Sequence, residues 1–243
     1  MIKLTKCPEP NYLTIRGAQW AQSLNDAVVL HGGYDSIPEK DKDSLTAHYR
    51  NQNIKDVLFP TSHNKCAFCE CIPEDGGNFI QIEHFYPKSL YPHLCFSWDN
   101  FLPSCNKCNL AKSTLDTIVT PIVNPYIVEP SDHIYVSLLK LKARDNSKLG
   151  EDTVKELKLN SSRHIKARRN LLEDIENLTE RLQEKMDELN AAGTKRIRDN
   201  RFGELLELVE ELDSLMLPNQ PYSFFCRQII LSEPEYVEAK ALI

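Results

Sequence analysis

An α+β fold, with a small metal-clipped ββα unit embedded in a mainly helical chain, is predicted by three features of this sequence. Two Cys-x-x-Cys pairs, "CAFC" at 66 to 69 and "CNKC" at 105 to 108, bracket an alternating apolar–polar stretch, "NFIQIEHF". Before and after them, apolar residues recur at steps of three and four, the period of a helix buried on one face. Between about 61 and 125 that period is lost, and Cys, Asn, Pro and aromatic residues accumulate. The divisions follow: a helical region over 1–60, a compact unit over 61–125, and short strands leading to a helical hairpin over 126–243.

The N-terminal region reads as two helices. Trp20, Leu24, Ala27 and Val28 share one helical face, and Gly32-Gly33 supplies the stop. A second helix is expected from Pro38 to Pro60, with Leu45, Tyr49, Ile54, Val57 and Leu58 on its apolar side. In the compact unit, "NFIQIEHF" reads as a strand ending near His84. "SWDNFLPSCNKCNLAKS" reads as a loop, carrying Asn100, that enters a helix at about Cys105 or Lys107.

Further on, "HIYVSLLKLKAR" has the composition of one or two strands, bounded by the polar turn "RDNSKLGED". Helix is expected from about Thr153. Leu171, Ile175, Leu178, Leu182, Met186 and Leu189 form one long stripe; "NAAG" breaks it; Ile197, Leu205, Leu208, Leu212 and Leu215 form the returning one. "FFCRQII" reads as a last buried segment. Two basic clusters, "RHIKARR" (Arg163 to Arg169) and "KRIRDNR" (Lys195 to Arg201), read first as solvated faces, with a phosphate track or an acidic docking partner as the sharper alternatives.

The chain has 243 residues, a net charge of -6 and a pI of about 5.7. That balance argues against a protein that coats nucleic acid by bulk electrostatics, but leaves room for a local basic cleft. No run approaches the ~20 apolar residues of a membrane span, and "MIKLTKCPEPNYL" lacks a signal-peptide core, so a cytoplasmic protein with no membrane partner is expected. Six of the eight cysteines fall between 66 and 108. In a reducing compartment such clustering favours metal over disulfide.

The Cys-x-x-Cys spacing lets a tight turn aim two thiolates at one ion, and two such turns complete the tetrahedral shell of structural zinc. Cys66, Cys69, Cys105 and Cys108 are therefore the predicted Zn²⁺ ligands. Cys71 and Cys95 lack a partner at that spacing; either is placed to replace a ligand, but both read as buried free thiols. A zinc ion would pin the ends of the 35-residue insert, Glu70 to Ser104, side by side. A strand pair and a helix so clipped bring Glu83 and His84, at the strand end, to face the helix carrying Asn109 and Lys112.

"CAFCE", "IEHFYPKS", "WDNFLPSCNKCN" and "AKS" resemble the motifs of HNH endonucleases with a four-cysteine zinc knuckle, a ββα-metal or His-Me finger fold. More narrowly, they resemble the HNH nuclease subunit of Septu-type and retron-associated phage-defence systems. The match covers about 58 to 125, with echoes in "VNPY", "KLN" and "PYSFFCRQII". The resemblance implies a general base at His84 and an asparagine, Asn100, that holds the histidine loop in its reactive orientation. It implies catalytic-metal ligands at Asn109, the last position of the motif, and at Glu83, where many relatives carry aspartate or histidine. It also implies an ABC or SMC-like ATPase as partner and, in retron-linked relatives, a reverse transcriptase with its RNA–DNA product.

The chemistry asks for the same groups. Phosphodiester hydrolysis needs a base for water, neutralisation of phosphate charge and stabilisation of the departing oxygen. Imidazole suits the first task, and Mg²⁺ or Mn²⁺ on oxygen ligands suits the others. Lys88 and Lys112 are the expected phosphate contacts, and Trp98 is expected to fill the small core under the knuckle. DNA is the first substrate read here, RNA such as tRNA the second, and a non-catalytic zinc adaptor the third. The helices around Glu173 to Leu215 are the expected ATPase docking surface.

Overall fold

The computed structural model describes residues 1–73 and 79–243. Helix α1 (Asn11–His31) starts after Pro10 and stops where Gly32 turns left-handed, at φ 73, and caps the Val28 and Val29 carbonyls. Helix α2 (Glu39–Thr46), a 3-10 turn (Ala47–Arg50) and α3 (Gln52–Leu58) replace the single helix expected over 38–60. Asn51 causes the break. Its backbone is extended (φ −63, ψ 144) and its side chain accepts from the Asn53 amide, so it caps a new helix instead of continuing the old one.

Strands β1 (Ile80–His84) and β2 (Phe101–Cys105) pair antiparallel, with Ile80 opposite Cys105 and His84 opposite Phe101. The expected strand start at Asn78 lies outside the described residues. "SWDNFLPSC", expected as loop, instead gives a 3-10 turn at Trp98–Asn100 and then β2. Pro103 is tolerated because the two-stranded sheet leaves each strand one free edge; its carbonyl accepts from the Ala67 amide at 2.9 Å. Helix α4 (Asn106–Lys112) follows directly, its first turn capped by the Cys105 thiol, which accepts from the Cys108 amide at 3.4 Å.

"HIYVSLLKLKAR" yields a hairpin of β3 (Ile134–Ser137) and β4 (Lys140–Ala143). Helix α5 (Lys148–Glu156) begins earlier than expected, because Ser147 caps it through the Gly150 amide. A break around Lys158, left-handed at φ 51, then precedes α6 (Ser162–Asn190). Helix α7 (Lys195–Leu215) folds back on α6, and their shared core contains Ile175, Leu178, Leu182, Leu205, Leu208 and Leu212. Helix α8 (Ser223–Ile230) is the buried "FFCRQII" segment; α9 (Pro234–Leu242) was not marked by the sequence pattern. No helix of the described residues is long and apolar enough to cross a membrane.

The apolar cores cut across the expected divisions. Cys66, Cys69, Cys105 and Cys108 share one core with Met1, Leu4, Ile134, Leu141, Leu159 and Phe224. Trp98 does not lie under the knuckle. It packs with Leu13, Ile54, Leu58, Phe96 and Phe101 in the N-terminal core, where its indole N–H reaches the Cys7 carbonyl at 2.8 Å.

Candidate metal knuckle and cleft

The four predicted thiols are buried, and their sulfurs all lie within 4.8 Å of one another. Cys69 and Cys105 Sγ are 3.8 Å apart. A tetrahedral zinc with bonds of ~2.3 Å separates its sulfurs by roughly 3.8 Å, so the group fits such an ion. Backbone contacts hold the first turn: the Cys66 amide donates to Cys71 O at 3.0 Å and the Glu70 amide to Cys66 O at 2.9 Å, with Glu70 left-handed at φ 63. Arg163, from the first turn of α6, lays its Nη2 3.5 Å from Cys105 Sγ, 3.6 Å from Cys71 Sγ and 3.8 Å from Cys69 Sγ. A guanidinium there offsets the negative charge of a metal–tetrathiolate.

Glu70 anchors this turn to the rest of the chain. Its buried carboxylate accepts from Lys65 Nζ at 3.2 Å, Ser223 Oγ at 2.8 Å and the Phe224 amide at 3.2 Å, and it pairs with the Met1 amino group. Burial alone would raise its pKa; the Met1 ammonium, Lys65 and Ser223 outweigh that and hold it down to about 2.

Glu83, His84, Lys88 and Asn109 line a single cleft of about 340 Å³ between the β1–α4 face and helix α2. His84 is buried at the end of β1, edge-on to Tyr49 at 4.6 Å and to Phe101 at 5.3 Å. Its Nε2–H donates to the Cys95 carbonyl at 2.9 Å, the one hydrogen bond of the ring among the described residues. Burial, and after it the charges of Lys88, Lys112 and Arg50, push its pKa down to about 3 against the opposing Cys95 bond, so the ring is neutral at pH 7. Asn100 ties the loop after β1 to the start of β2: its Oδ1 accepts from the Tyr86 amide at 2.7 Å, and its Nδ2 donates to Tyr86 O and Leu94 O, each at 3.0 Å.

Glu83 Oε1 accepts from Lys112 Nζ at 2.8 Å, and the same ammonium donates to His84 O at 2.7 Å. Burial raises the Glu83 pKa, with Lys112 and Lys88 opposing. Lys112 thus departs from the expected phosphate contact: it is 2% exposed, because Glu83 and the end of β1 draw its charge inward. Lys88 does face the cleft, near the Tyr49 ring. Asn109 is half-buried, with Nδ2 donating to Gln81 Oε1 at 2.8 Å, which leaves its carboxamide oxygen without a partner among the described residues. Glu83 Oε2 is likewise unbonded there. Two hard oxygen donors suit a Mg²⁺ or Mn²⁺ ion that keeps several of its waters.

Arg50 carries no signal of its own in the sequence. The 3-10 turn after α2 carries it onto the cleft wall, where it pairs with Asp43 at 2.8 Å. No periodicity announces that turn. The "RHIKARR" cluster, conversely, is less of a cationic face than it looked. Besides Arg163 on the thiols, Arg168 is buried and donates to Leu139 O, Leu159 O and Asn160 Oδ1, leaving Lys166 and Arg169 exposed. In "KRIRDNR", Lys195, Arg196 and Arg198 are exposed, while Arg201 pairs with Glu204 and Glu188. Cys95 is a buried thiol with its pKa pushed up to about 12 by burial, as read from the sequence; Cys71 is only half-buried, because it sits at the rim of the knuckle.

No family profile matches the chain. Among curated proteins, the Septu protein PtuB of Bacillus thuringiensis is 33% identical over 195 residues, which span 78% of this chain and 73% of that protein. A Septu protein PtuB of Bacillus mycoides (strain KBAB4) is 25% identical over 159 residues, spanning 53% of this chain and 54% of the relative. One residue in three shared across most of both chains reaches well beyond the cysteine and histidine motifs, and the chain belongs to the Septu PtuB protein family.

Proposed function

We propose that this protein is a metal-dependent HNH endonuclease that hydrolyses phosphodiester bonds of nucleic acid, DNA first, as the nuclease effector of an antiphage system with an ATPase partner. The observation that carries the reading is the orientation of His84. Its Nε2–H is committed to Cys95 O, so the neutral ring, which lines the cleft with Glu83 and Asn109, keeps its lone pair on Nδ1.

In this reading His84 Nδ1 accepts the proton of an attacking water. Asn100 keeps the loop beyond β1, and with it the Cys95 carbonyl, from releasing the ring. Arg50 and Lys88 attract the phosphate from the cleft walls. Glu83 and Asn109 would hold the divalent ion, which when bound neutralises charge on the phosphate and the departing oxygen. The thiol group holds structural zinc away from the reaction. Nothing in this scheme needs a 2′-hydroxyl, so RNA enters as a second substrate in the test.

The test incubates zinc-loaded protein, alone and with its ATPase partner, with plasmid DNA or total RNA and Mg²⁺ or Mn²⁺. Cleavage that depends on the divalent ion and disappears in His84→Ala is the expected result. Equal cleavage by both proteins removes His84 from the mechanism. No cleavage of either polymer, with no second metal bound, leaves the adaptor reading in its place.

A further inference from the structure

The knuckle contains one thiol more than a tetrahedral ion uses. Cys71 Sγ lies 3.4 Å from Cys69 Sγ, as close as the roughly 3.8 Å between two sulfurs on one zinc ion. Arg163 Nη2 lies within 3.8 Å of Cys69, Cys71 and Cys105 together, so its guanidinium treats Cys71 as part of the same sulfur group. The backbone makes this placement reproducible. Cys71 O closes the turn by accepting from the Cys66 amide, and neighbouring Glu70 is fixed in its left-handed conformation by Lys65, Ser223 and Phe224.

The fifth thiol also differs from the other four in access. Cys66, Cys69, Cys105 and Cys108 are buried, whereas Cys71 is half-buried and lines a cavity of about 340 Å³ with Arg163, Asn170 and Tyr222. Its sulfur stands outside the set of four that lie within 4.8 Å of one another, so binding the ion requires it to move inward.

We infer that Cys71 is a spare zinc ligand that exchanges with Cys69. In the exchange the Cys71 thiol gives up its proton as its sulfur binds, while the departing Cys69 thiolate takes one up. The ion keeps four thiolates and the centre keeps its charge. Arg163, in contact with both sulfurs, meets the same total charge before and after. The inference rests on the thiol group being a metal centre and is independent of the nuclease reading.

Zinc content and cobalt-substituted absorption spectra of the full-length protein test it, comparing wild type with Cys69→Ser, Cys71→Ser, the double variant and Cys108→Ser. Cys69→Ser is expected to retain its metal and the charge-transfer intensity of four thiolates, and Cys71→Ser to match wild type. The double variant and Cys108→Ser drop to three-thiolate spectra and lose metal affinity by roughly tenfold or more. A Cys69→Ser protein that behaves like the double variant, or fails to fold where Cys71→Ser folds, overturns the exchange. A loss in Cys71→Ser alone overturns it too, since Cys71 would then be a resident ligand. Wild type that takes up neither zinc nor cobalt removes the metal centre itself, a result distinct from these.

Discussion

His84 Nε2 and the carbonyl oxygen of Cys95 lie 2.9 Å apart, and that contact decides which nitrogen of the imidazole keeps its lone pair. A carbonyl only accepts, so Nε2 carries the hydrogen and Nδ1 the lone pair. Glutamine at 84 preserves bulk and a donor for Cys95 O but offers no basic nitrogen. His84→Gln is therefore expected to lower plasmid cleavage by about 10²–10⁴-fold with zinc content unchanged. Initial rates measured beside metal analysis check this; a rate within a few-fold of wild type would place the base elsewhere.

Lys112 and Glu83 form a buried pair whose side chains are 0% and 7% exposed. Removing only the lysine leaves a carboxylate already short of solvation, with its pKa raised by burial. Lys112→Met should cost about 3–5 kcal/mol in urea unfolding. Adding Glu83→Gln should restore a large part of that loss, because the second change removes the unpaired charge. A single variant as stable as wild type would mean that the carboxylate finds another partner once the lysine is gone.

What the sequence disclosed here was local. The cysteine pairs announced themselves because a metal turn fixes spacing, and Glu83-His84 was legible because the alternation of "NFIQIEH" ends on it. The helical hairpin was legible from the leucine stripes of α6 and α7. Contacts made at long range were not. Pro103 disguised β2 as loop, Asn51 hid a cap inside an apparent helix, and α9 is too short and too weakly amphipathic to stand out. Arg163 looked like surface charge until the fold carried it 94 residues back onto Cys69, and Lys112, expected on phosphate, is held inward by Glu83.

Gly150 lies where α5 crosses the β3–β4 hairpin. A β-carbon there would collide with the His133 carbonyl oxygen, which already accepts from the Arg144 amide at 2.8 Å. Helix propensity alone favours alanine over glycine by ~1 kcal/mol, so a stabilising Gly150→Ala would show the contact to be slack. The steric term should win, because backbone sits on both sides of the clash and a flexible side chain on neither. Thermal unfolding is expected to show a net loss of roughly 1–3 kcal/mol.

His164 gives the protein a stability that falls on mild acidification. Burial, and then the nearby charges of Arg163 and Arg168, hold its pKa down to about 4, with Nδ1 3.4 Å from the Tyr222 hydroxyl. In the unfolded chain an imidazole titrates near 6.5. Between those values the unfolded chain binds a proton that the folded one refuses, so stability is full above about pH 6.5, declines as pH falls toward 4, and levels below that. The contribution is about 2 kcal/mol between pH 7 and pH 5. Histidine-to-glutamine at 164 keeps a polar partner for Tyr222 but cannot titrate. Urea unfolding at the two pH values, with zinc supplied throughout, should therefore show His164→Gln losing about 2 kcal/mol less than wild type on acidification. Parallel losses in the two proteins would mean that the folded imidazole takes up its proton at an ordinary pH.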